Sequence, residues 1–169
     1  MIVEQALQIS KHAEVLATVC LARRSDLSVI PVSRYNRKAG YDLLVQLNNK
    51  KPDINMSFAI AVKGMLGGHH ESYDNFVVHY SKSQIKNGGL PICVFLFNVD
   101  SEQGYYRWLY EPAMDEDGRP YLRLDRQVEG SDNHSNRFKI RWAFQPLDND
   151  ALERIIDQVK NWYRAKQEH

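Results

Sequence analysis

Residues 40–64 read GYDLLVQLNNKKPDINMSFAIAVKG, two strand-length apolar runs separated by a polar stretch. The first run, Tyr41 to Leu47, has the composition of a strand, and so does the second, Ser57 to Lys63. Between them Asn48-Asn49-Lys50-Lys51-Pro52-Asp53 is rich in turn formers, so an antiparallel hairpin is the economical reading. Side chains alternate along a strand, which puts Phe58, Ile60 and Val62 on one face and Ala59, Ala61 and Lys63 on the other. Gly64, Gly67 and Gly68 end the second strand.

Upstream, Ala6, Ile9, Ala13, Leu16 and Cys20 recur at alternating steps of three and four, the stripe of an amphipathic helix running from Ile2 to about Ala22. Leu27 to Val32 then reads as a short strand and Arg34 to Gly40 as a polar loop. Downstream, Tyr73, Phe76, Val77 and Tyr80 fall at helical spacing, predicting a helix from about Glu71 to Ile85 that stops at Gly88-Gly89. Ile92 to Phe97 is apolar without alternation, as a central strand covered on both faces should be.

The remainder is more polar. Strands are expected at Tyr105–Tyr110 and Tyr121–Leu124 around the turn Asp115-Glu116-Asp117-Gly118, a loop at Glu129–Asn136, and a strand at Phe138–Phe144. Asp148 is positioned to cap a last helix whose apolar side carries Leu152, Ile155, Ile156, Val159, Trp162 and Tyr163. The sequence contains no repeat and no linker long enough to separate one domain from another, so residues 1–169 are expected to form a single domain.

Composition fits a globular chain: 169 residues, 25% charged and 43% hydrophobic. A formal charge of +1 gives no global field for nucleic acid, although a local basic groove fits inside a balanced total. Cys20 and Cys93 sit in apolar runs and read as small core residues. The longest apolar run, Ile92 to Phe97, is far too short to span a bilayer, and no secretory signal pattern opens the sequence, so the expected setting is cytoplasmic, with no membrane partner.

The order of helix, strand, hairpin, helix and apolar strand resembles the core of the PD-(D/E)xK nuclease superfamily. The residues that carry the resemblance are Gly40-Tyr41-Asp42-Leu43-Leu44-Val45, Phe58-Ala59-Ile60-Ala61-Val62-Lys63-Gly64, and the later Leu90-Pro91-Ile92-Cys93-Val94-Phe95 with Tyr105-Tyr106-Arg107-Trp108-Leu109. The closest similarity is to bacterial families that combine these three stretches. It covers about Ala6 to Tyr110, leaving residues 111–169 as a C-terminal β-extension and helix. The fold it implies is α/β, a restriction-endonuclease-like mixed central sheet flanked by helices.

In that superfamily an acidic residue opens one strand and a (D/E/Q)-x-K triplet lies on its hairpin partner, converging on a divalent metal. The resemblance therefore implies Asp42 as metal ligand and Lys63 as the residue that orients water or stabilises developing charge, with Mg²⁺ or Mn²⁺ as cofactor. Glu14, on the first helix, matches the place of a helical glutamate in many members and is the candidate third ligand; Glu71 and Asp74 are weaker substitutes. The departure is Ala61, where the family's second carboxylate or glutamine should stand. Alanine has no oxygen to offer, and one carboxylate holds Mg²⁺ weakly.

Each candidate has a plainer rival: a strand-end aspartate satisfied by backbone for Asp42, a lysine guarding a strand against aggregation for Lys63, a solvated helix residue for Glu14. Arg34, Arg37 and Lys38, with Tyr35 among them, form a loop able to touch phosphates and stack a base, or simply to face water. Arg137, Lys139 and Arg141 alternate along one expected strand. His69-His70 and His79 lack ligands at zinc spacing, and neither Ser72 nor Cys93 lies in a nucleophile elbow. Two functions remain: a metal-dependent nuclease with a reduced site, or a non-catalytic descendant that binds nucleic acid, a protein partner or a second copy of itself in a mobile-element or defence setting. The alanine at 61 favours the second.

Overall fold

The computed structural model describes residues 2–32, 40–48, 54–67, 76–79, 89–124, 128–130, 137–140 and 144–169. Helix α1 (Ile2–Ala22) leads into strands β1 (Leu27–Pro31), β2 (Leu43–Leu47) and β3 (Met56–Met65). Then follow β4 (Phe76–His79), β5 (Ile92–Asn98), β6 (Gln103–Met114), β7 (Pro120–Leu124), β8 (Val128–Gly130), β9 (Arg137–Ile140), β10 (Gln145–Pro146) and helix α2 (Asn149–Glu168).

The main sheet runs β1-β2-β3-β5-β6-β10, with β7 also on β6. Every pairing in it is antiparallel except β3 with β5, so the fold is α/β with a mixed sheet. The hairpin read from residues 40–64 is present, Leu43 standing opposite Ile60 and Leu47 opposite Met56. At the centre every residue of β5 is buried, as its unbroken apolar run requires. Strand β6 faces β5 along one edge; along the other it holds β10 at Tyr105–Tyr106 and β7 at Tyr110–Met114.

Period two sorts the core into two faces. Phe58, Ile60 and Val62 of β3, with Cys93, Phe95 and Phe97 of β5, pack against Ala13, Ala17 and Leu21 of α1 and Ala151, Leu152, Ile155, Ile156 and Val159 of α2. Both helices therefore cover the same face. The alternate residues Ala59, Ala61, Ile92 and Val94 face the other way and pack with Leu109 and Tyr110, joined by Tyr41, Leu122 and Phe144.

The helix α1 lies unusually close to β3. A Cβ built on Gly64 would stand 2.8 Å from the Ile9 carbonyl oxygen and 2.8 Å from its Cγ2, so only glycine lets the helix backbone approach that strand. The stripe along α1 is correct for its second half, but residues 2–8 stand exposed, including Ala6. The first two turns overhang the sheet, a matter of helix placement that periodicity does not encode.

The last helix is held by polar contacts as well as its stripe. Asp148 caps it, its Oδ1 accepting from the Ala151 N–H at 2.7 Å. Gln158 accepts from Trp108 Nε1 at 3.2 Å and donates to Glu111 Oε1 at 2.9 Å; Trp162 Nε1 donates to the Tyr121 carbonyl, and the Tyr163 hydroxyl to the Ser57 carbonyl. Such bonds contribute about 1 kcal/mol each and fix which way the helix lies on the sheet. Arg24, just beyond α1, grips Asp26 through two nitrogens and also pairs with Glu153 of α2.

The helix expected over Glu71–Ile85 is not what residues 76–79 form. They are strand β4, pairing with β9, which also pairs with β8, in a separate three-stranded antiparallel sheet. The spacing of Phe76 and Val77 suits a helix locally, but two adjacent valines prefer extended backbone, and the partner that decides the matter lies about sixty residues on in sequence. Residues 71–75 and 80–85 lie outside the described residues. Likewise the loop expected at 129–136 begins as β8, and the strand expected at 138–144 is realised as β9 over 137–140.

Two outcomes follow. Gly64→Ala forces α1 away from β3 and should lower unfolding free energy by about 1–3 kcal/mol, the usual cost of overpacking, read by urea denaturation. An unchanged midpoint would show that the helix yields freely. Hydrogen bonding from Arg24 holds the Asp26 carboxyl below its ordinary range. Its stabilisation is therefore present above the unfolded value near pH 3.9 and lost as pH falls through the lower folded one. Thermal melts of wild type and Asp26→Asn should converge in that acid window and separate modestly above it, since the pair is partly exposed.

Candidate functional site

Asp42 sits where β2 meets the strands on either side. Its N–H donates to the Ile60 carbonyl at 2.9 Å, and its own carbonyl accepts from the Val32 N–H at 2.8 Å. Leu43 stands opposite Ile60 as the last pair of the β2–β3 ladder. The next donor of β3 on that edge, the Val62 N–H, is taken by Asp42 Oδ2 at 2.7 Å. The carboxylate thus stands in for a strand carbonyl and ends the ladder. This is the reason β2 begins at Leu43 and not at Tyr41.

Ala61 is 2% exposed and enclosed by apolar neighbours. Lys63, two residues along the same face, is half-buried; Leu96 lies opposite it on β5 and Tyr105 beyond that on β6. Among the described residues its ammonium has no ion-pair or hydrogen-bond partner. The row through Ala61 continues across Val94 to Arg107, which is only 7% exposed. Arg107 is engaged within the molecule, as burial of a guanidinium demands. This second cation lies on the Lys63 side of the sheet, and its stretch, Tyr105–Leu109, carries the resemblance without assigning it a role. The signal was there in the alternation of Tyr105, Arg107 and Leu109, a lone charge inside an aromatic strand.

Glu14 is half-buried on α1, and the hydroxyl of Thr18 donates to its backbone carbonyl at 2.8 Å. Because α1 covers the Ile60 and Val62 side, the structure sets Glu14 and Lys63 on opposite faces of the sheet. Among the described residues, no three His, Cys, Asp or Glu side chains gather closely enough to hold a metal. Arg34, Tyr35, Arg37 and Lys38 lie outside the described residues, as do Glu71, Asp74, His69 and His70.

Both cysteines behave as core residues. Cys93 is wholly buried and its thiol donates to the Arg107 carbonyl at 3.3 Å; burial pushes that thiol well above its ordinary pKa and away from nucleophilic use. Burial also raises Cys20, against a smaller lowering by Arg23. Among the described residues no helix is long and apolar enough to cross a membrane.

No protein-family model matches the chain, and no curated protein matches it either. The functional reading therefore rests on the site itself.

The Asp42 bond separates charge from hydrogen bonding. Asp42→Asn keeps an acceptor oxygen for the Val62 N–H and should change stability little, whereas Asp42→Ala strands a buried donor and should cost about 1–3 kcal/mol. Chemical denaturation of both variants reads the difference. Equal losses would mean that the negative charge, and not the bond, holds this end of the strand.

Proposed function

We propose that this chain is a catalytically degenerate, nuclease-like domain of the cytoplasm that binds nucleic acid. The support from architecture is the chain path. One helix, three antiparallel strands and a crossover to a parallel strand bring Asp42 and Lys63 onto neighbouring strands, the layout that the PD-(D/E)xK resemblance calls for.

The observation that carries the loss of hydrolysis is Ala61. Phosphodiester cleavage by this chemistry needs a hard cation held by several oxygens. At the position of the second ligand stands a methyl group, 2% exposed, in a cluster of Ala59, Ile92, Val94, Leu109 and Tyr110. One oxygen of the remaining carboxylate is already occupied by a backbone donor. A lone carboxylate in that state is a poor Mg²⁺ or Mn²⁺ ligand. What survives is the cationic element, Lys63 without a counter-ion among the described residues, and that suits a phosphate backbone.

A calorimetric Mn²⁺ titration of the wild type is expected to show no binding at millimolar concentration. Binding that disappears in Asp42→Asn would instead restore the metal-dependent nuclease reading. Affinity for a nucleic acid, measured by fluorescence anisotropy against salt, should fall linearly on logarithmic axes. Lys63→Ala should weaken binding and reduce the slope by about 0.7–0.9, one phosphate contact, with its melting temperature unchanged. Binding that ignores salt would point to a protein partner or a homodimer.

A further inference from the structure

We draw no further inference here: the strongest candidate, the overhanging first two turns of α1 with Ile2, Val3 and Leu7 exposed, is an unpartnered apolar surface, and nothing in the structure shows what covers it.

Discussion

Phe58, Ile60 and Val62 on one side of β3, and Ala59 and Ala61 on the other, leave the middle of that strand with no side that can face water. The same holds for β5, and the two strands lie side by side in parallel. Both faces of that pair must be covered, and parallel strands cannot be joined by a tight turn. The rest of the architecture answers these demands. Helices α1 and α2 cover one face, drawn in by the alanines of α1 and the missing side chain of Gly64. The opposite face closes over Ala59, Ala61, Ile92 and Val94 with Tyr41, Leu122 and Phe144.

The alternation that builds this core also limits the chemistry. On a strand with strict period two, the residue between Ala59 and Lys63 on one face must be position 61, and here that position belongs to the hydrophobic interior. A carboxylate there would carry the desolvation cost of a buried charge unless a metal stayed bound to it. An alanine carries neither that cost nor an oxygen able to hold a metal. Asp42 keeps a structural duty that needs no metal, since the Val62 N–H would otherwise be buried without a partner. This duty accounts for an aspartate at the strand's start without reference to any chemistry.

Much of the architecture was legible because it is written in local patterns. The hairpin of β2 and β3, the buried run of β5, the long α1 and the Asp148 cap all depend on residues within a few positions of each other. Three features were not. The strand end at Asp42 depends on where Val32 and Ile60 arrive from separate strands, β4 depends on β9, and the burial of Arg107 depends on its place in a row beginning at Ala61. For the site, sequence supplied the residue types and the face of Lys63, but it could not say that α1 would lie on the other side and carry Glu14 away from it.

The docking of α2 has a further meaning for how the chain becomes a protein. The bond from Tyr163 to Ser57 closes a loop of 106 residues, and the ion pair from Arg24 to Glu153 closes one of 129. A chain emerging from the ribosome reaches β3 early, yet the side chains that seal Phe58, Phe95 and Trp108 belong to an element made after all the strands. Until then α1 alone covers that face, and the part that α2 will cover exposes apolar surface, the kind of surface through which incomplete chains associate. In chain order, the element that closes the longest-range contacts is therefore also the one that completes the core last among the described elements.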